Sequence, residues 1–193
     1  ELSRWLFVWM TFLGAIVAVN ALGDVECLVA PNSLHYVFLQ GWKAAYPQAS
    51  VYAAPGSRER AKNVTFDADL GDAPPEAWAG EIDHALMRGN LITTEVVFFH
   101  RKSGTVLFAD LIQHFRPGWF TGWRALIARM DGMTGALPQV PRKFRTAFID
   151  RKAARTGLAR ILAWPARQVV MAHAEPVREG GQAFIARAFA WLR

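Results

Sequence analysis

With 193 residues, 52% hydrophobic side chains and eight tryptophans, the chain is long enough for one domain with a sizeable core and too apolar for disorder. Its 22 Lys and Arg against 16 Asp and Glu leave a formal charge of +6. The basic residues read as scattered, as in Arg58, Arg60 and Lys62 or Arg151, Lys152 and Arg155, without the aromatic interleaving of a nucleic-acid platform, so solvated faces and no nucleic-acid partner are expected. The single cysteine, Cys27, excludes an intrachain disulfide and a multi-cysteine zinc site.

The amino-terminal apolar run, residues 6–22, falls short of the roughly 20 residues a membrane-spanning helix needs and contains Thr11 and Asn20. It reads as a buried strand over 6–10, a helix cap at Thr11 and a buried helix over 12–22 stopped by Gly23, and a cytoplasmic location is expected. The alternative is membrane attachment through residues 1–22. No initiator Met is present, and the chain is expected to begin inside a longer protein, truncated at its amino terminus.

Residues 25–30 are too short an apolar run for a helix and end at Pro31-Asn32, a strand followed by a turn that makes Cys27 a small core residue. Ser33 can cap a helix with Leu34, Val37, Phe38 and Trp42 on its apolar face, ended by Pro47. A strand over 49–53, a short helix over 57–62 and a polar surface connection over 67–79 follow. Residues 82–88 read as a strand ended by Gly89, and 95–100 with 105–110 as a hairpin. The unbroken Val96-Val97-Phe98-Phe99 suggests a strand covered on both faces. Residues 119–130 have helical spacing, and 132–141, with two glycines and two prolines, reads as a lid or linker. Asp150 caps a helix over 151–164, residues 168–172 form a buried strand, and 181–193 an amphipathic helix. Interleaved helices and strands around a central hairpin predict a single α/β domain over 1–193 with mixed sheets flanked by helices; a four-layer αββα sandwich is one solution.

Potential ligands fall at strand ends, where sites form in open α/β sheets: His35 after 25–30, Asp110 after 105–109 and His173 after 168–172. Two imidazoles and a carboxylate suit zinc, iron or manganese. The same residue types serve as turn formers or hydrogen-bonded partners without any metal. His84 and His114 read as partly exposed strand residues, and no phosphate loop, serine elbow or Cys/His dyad is visible.

The blocks Leu28-Val29-Ala30-Pro31-Asn32-Ser33-Leu34-His35, Tyr52-Ala53-Ala54-Pro55-Gly56, Trp78-Ala79-Gly80-Glu81-Ile82-Asp83, Glu95-Val96-Val97-Phe98-Phe99-His100 and Ala172-His173-Ala174-Glu175-Pro176-Val177 are where the sequence resembles a known group. They resemble an uncharacterised bacterial branch, a domain of unknown function, of the metallo-β-lactamase superfamily. The likeness runs from about residue 6 to the carboxyl terminus and implies an αββα sandwich, with its first strands expected to fall outside the chain. The superfamily's first ligand motif, His-x-His-x-Asp-His, corresponds here to Pro31-Asn32-Ser33-Leu34-His35-Tyr36. Pro31 and Ser33 take the first two histidine positions, His35 the aspartate and Tyr36 the last histidine. Asp110 resembles the bridging aspartate and His173 the late histidine; the intermediate histidine falls near Asn90 or Leu91. The resemblance thus implies a degenerate site of His35, Asp110 and His173. His100 is an outside candidate for a fourth ligand or proton carrier, or else faces solvent beside the hairpin turn, and Glu175 either orients His173 or serves the turn at Glu175-Pro176. It would hold one divalent metal, or none. The implied functions are a metal-dependent hydrolase of an ester, amide or phosphoester with a mononuclear site or, alternatively, a non-catalytic module that binds a small-molecule ligand or a partner.

Overall fold

The computed structural model describes residues 5–7 and 12–193. The expected Thr11 cap and the second half of the expected first strand lie outside these residues.

Among the described residues, eight strands form two sheets. In the first, β1 (Trp5–Phe7), β2 (Cys27–Ala30), β3 (Ser50–Ala53) and β4 (Ala68–Asp69) run parallel in that order. In the second, β5 (Ile82–Met87), β6 (Glu95–His100) and β7 (Thr105–Gln113) form an antiparallel meander, and β8 (Gln168–His173) adds in parallel to β7. Parallel neighbours need crossovers, which the helices supply. These are α1 (Phe12–Asn20), α2 (Leu39–Ala45) and α3 (Ser57–Arg60) around the first sheet. After β7 come α4 (Gly122–Met130), α5 (Arg142–Ala147) and α6 (Arg151–Ala163), and α7 (Gly181–Ala188) follows β8.

Period-two alternation sorts the buried side chains into three layers of core. Leu28 and Ala30 face α1 and α2, packing with Val19, Leu39 and Trp42. Their neighbours Cys27 and Val29 point the other way, onto Leu86, Val96 and Phe98 of the second sheet. Val97 and Phe99 turn outward against Leu158 and Ile161 of α6 and Ile185 of α7. A strand buried on both faces gains nothing from polar alternation, which is why 95–100 is continuously apolar after its first residue. The layers run helix, sheet, sheet, helix.

Two glycines set close approaches. Gly89, at φ +86°, turns the chain out of β5, and a Cβ there would stand 2.2 Å from the Asp150 carbonyl oxygen. Gly157 lets α6 lie on β5; its Cβ would meet the Leu86 carbonyl oxygen at 2.4 Å. Backbone cannot yield as a flexible side chain can, so Gly157→Ala should lower stability by about 1–3 kcal/mol, read as a fall in the denaturant midpoint.

Several expected elements differ. Ser33 caps nothing: α2 begins only at Leu39, because Asn32 accepts the N–H groups of Leu34 and His35 on its own Oδ1, at 2.8 and 3.0 Å, and holds the chain in a turn. Leu34, Val37 and Phe38 are accordingly exposed rather than core. The 67–79 connection carries β4 and a 3-10 turn, Glu76–Trp78, that buries Trp78. The 132–141 stretch is strapped to β7, with Gln113 N donating to the Gln139 carbonyl at 3.0 Å. Residues 142–147, which carry no clear periodicity, form α5, short and started by Pro141, with Phe144 in the core. The closing helix breaks at Phe189 into α7 and a 3-10 turn, Ala190–Leu192. Asp150 does cap α6, accepting from Ala153 N at 3.0 Å.

Candidate metal centre

The centre is built around an irregularity in β7. Pairing with β8 holds from Thr105 to Phe108 and resumes only at Gln113, with a shift of register between. Strand N–H groups released this way need other acceptors. Glu95 supplies them. It is the first residue of β6 and fully buried, and its Oε1 accepts from Ala109 N at 2.8 Å. Its Oε2 accepts from Asp110 N at 2.6 Å and Leu111 N at 3.2 Å. Asp110 therefore sits inside an irregular strand rather than just beyond its end, as the sequence suggested.

Asn32 links this support to the first sheet. While its Oδ1 holds the turn, its Nδ2 donates to Glu95 Oε2 at 3.0 Å and to Asp110 Oδ2 at 2.9 Å. The turn carries His35 to Asp110, with His35 Nδ1 2.6 Å from Asp110 Oδ2. At the end of β8, His173 Nε2 lies 3.2 Å from Asp110 Oδ1, and Gln113 Nε2 donates more weakly to that oxygen at 3.4 Å. The two imidazole rings are 5.4 Å apart at their centroids, and the Phe115 ring stacks on His173 at 5.4 Å.

Three residues separated widely in sequence thus bring one ligand atom each within 4.8 Å of one another. Ligand bonds of about 2.0–2.3 Å place the donors of one ion within a similar span, so this donor set fits a divalent cation such as zinc. The electrostatics agree. Burial opposes the charge on Asp110, but hydrogen bonds from His173, His35 and Asn32 outweigh it and hold the carboxyl well below the usual carboxylate range. Burial likewise disfavours the His35 imidazolium; its hydrogen bond to Asp110 and the charges of Asp110 and Glu95 overcome that and leave its pKa raised. Burial, then the charge of Asp110, push the Glu95 carboxyl up to about 7 against its N–H donors.

The other sequence candidates lie elsewhere. His100 ends β6, paired with Thr105 and Ile82, whereas Glu95 and the centre are at the strand's opposite end, about 17 Å away at the strand rise per residue. Its Nδ1 bonds the Ser103 hydroxyl at 2.8 Å inside the hairpin turn, and the side chain is buried rather than solvent-facing. Glu175 pairs with Arg116 and does not orient His173. Asn90 ties its amide to the Phe144 carbonyl, Leu91 is exposed, and Tyr36 packs against the α1–α2 core. His84 is buried, not partly exposed, with Nε2 2.8 Å from the Gly71 carbonyl oxygen. His114 contacts the Gly135 carbonyl. Cys27 is inert, its thiol pushed up to about 11 by burial and then by the charge of Glu26.

Sequence reasoning passed over Glu95 and Asn32. A carboxylate opening a strand that is apolar and covered on both faces must find buried donors, and that was the available signal.

The arrangement is that of the metallo-β-lactamase fold. The chain superposes on a metallo-β-lactamase from Pontibacter korlensis with a TM-score of 0.55 and 17% identity, over 92% of this chain and 74% of that one. On the metallo-β-lactamase DIM-1 the TM-score is 0.58 at 14% identity, over 93% and 74%. On FIM-1 from Pseudomonas aeruginosa, in its mono-zinc form, it is 0.52 at 16% identity, over 89% and 69%. These likenesses establish the fold. No protein-family model matches the sequence, and no curated protein matches it.

Proposed function

We propose that this protein is a metal-dependent hydrolase with a mononuclear centre held by His35, Asp110 and His173. The observation that carries the reading is the convergence of their three ligand atoms within 4.8 Å, in a fold whose neighbours include an enzyme described in a mono-zinc form. Pro31, Ser33 and Tyr36 occupy positions where the superfamily motif has histidines, which supports a reduced site rather than a dinuclear one. A bound divalent cation supplies Lewis-acid polarisation of a substrate oxygen and acidifies water. The protein's own part is positional. Asn32 and Glu95 fix the Asp110 carboxylate, Asp110 orients both imidazoles, and Phe115 limits rotation of the His173 ring.

A second reading, a non-catalytic module that binds a small ligand, is favoured by one observation. Both oxygens of Asp110 already have donors, so the cluster is satisfied with protons alone. Metal analysis of the full chain purified without chelator separates the two. The hydrolase reading expects about one equivalent of zinc, iron or manganese, with turnover of chromogenic ester or phosphodiester substrates that chelation abolishes. Less than about a tenth of an equivalent, unchanged after adding each metal, would sink it.

A further inference from the structure

We propose that α4 is an interfacial helix that seats this protein on an anionic lipid bilayer. The helix wears its apolar face outward. Trp123, Leu126, Ile127 and Met130 recur at the i, i+3, i+4, i+7 spacing of a single stripe, and they are 68, 53, 52 and 62% exposed. At 100° per residue, Ala125 and Ala128 lie on the opposite side; Ala128 is the buried residue of the helix and Ala125 is half-buried. The helix rests on two small side chains and turns its large ones to solvent. Trp119, three residues before the helix, is also 68% exposed.

Charge identifies the occupant. Arg124 and Arg129 flank the stripe on its two sides, and the Arg124 guanidinium stands 5.5 Å from the Trp123 ring. Between Asp110 and Asp150 the chain carries six basic residues, Arg116, Arg124, Arg129, Arg142, Lys143 and Arg145, against a single acid, Asp131. Five of the protein's six formal net positive charges thus fall in this one stretch, a bias that scattered spacing conceals. A second copy on this face would set like charge against like charge. Tryptophan and aliphatic side chains rimmed by arginines match the boundary between anionic headgroups and acyl chains. Among the described residues no helix is long and apolar enough to cross a membrane, so contact through α4 is a surface attachment.

Co-sedimentation of the full chain with vesicles tests this, using phosphatidylglycerol and phosphatidylcholine at about 3:7 against pure phosphatidylcholine. Binding should be at least about tenfold tighter to the anionic vesicles, weaken in high salt, and shift tryptophan emission to the blue. Leu126→Asp with Ile127→Asp should reduce it by about tenfold or more, and Arg124→Ala or Arg129→Ala by about fivefold each. All these side chains are exposed, so far-ultraviolet dichroism and the thermal midpoint should stay unchanged, which verifies that the variants fold. Failure of the wild-type chain to sediment overturns the proposal. So does binding that survives the Leu126→Asp/Ile127→Asp change, which would assign it to another segment. Dimerisation abolished by that change, without vesicle binding, would give the face to a second copy and also overturns it.

Discussion

Glu95→Ala should lower the stability of the metal-free protein by about 3–5 kcal/mol, because it leaves several buried neutral donors without an acceptor, at about 1–3 kcal/mol for each. The carboxylate is the common acceptor for three consecutive backbone N–H groups, those of Ala109, Asp110 and Leu111, and for the Asn32 amide. None of these donors has water to turn to, because Asn32, Ala109, Asp110 and Leu111 are all buried. Glu95→Gln tests the same point more sharply. It keeps shape and volume, yet wherever its carbonyl goes, its NH2 must face a backbone N–H, either that of Ala109 or those of Asp110 and Leu111. A loss of about 1–3 kcal/mol is expected despite near-perfect isosterism. If Glu95→Gln is as stable as the parent in urea unfolding, Glu95 is not the acceptor the geometry makes it. Both variants also release Asp110 from its support, so metal affinity should fall about 10–100-fold, as it does when partners behind metal ligands are removed.

The same network explains what could be read from the sequence and what could not. The sandwich was legible because its strands are apolar runs too short for helices, as at 25–30, 95–100 and 168–172. His35, Asp110 and His173, whose ligand atoms the structure brings together, were singled out by their expected place after such runs and by the resemblance to the superfamily. Linear sequence does not say which end of a hairpin meets a crossover loop. His100 and Glu95 are five residues apart on one strand, and the structure puts the first in a turn and the second beneath the centre. Asn32 looked like turn chemistry and is that, but its amide also reaches two carboxylates 63 and 78 residues away. Periodicity pointed to a helix over 119–130, which the structure begins only at Gly122, without saying whether its stripe faces core or solvent; the burial of Ala128 opposite the stripe shows that it points out. The elements that escaped, β4 and α5, are held by tertiary contacts that a two- or six-residue segment cannot advertise.

Asp110→Asn should weaken zinc binding by at least about 100-fold in calorimetric titration, more than Ala at either histidine alone. Asp110 carries the charge of the donor set and contacts both other ligands, so its loss removes one ligand and frees two. The pH dependence follows from the same pairings. In the metal-free protein the raised pKa of His35 means that its pairing contributes fully below the ordinary value of 6.5 and is lost as pH rises through the folded value. The lowered pKa of Asp110 works oppositely: its contribution is present above 3.8 and is lost as pH falls toward the folded value. Between these limits the proton on His35 occupies the place a cation would take. Metal-free protein should therefore lose thermal stability as pH is raised from 6 to 8. The stabilisation gained on adding zinc should grow over that interval, because ligation needs the neutral imidazole. In Asp110→Asn both trends should flatten, since the partner that raises the His35 pKa is gone. A zinc-induced shift in melting temperature that is equal at pH 6 and pH 8, or one that Asp110→Asn preserves, would place the metal somewhere other than this cluster.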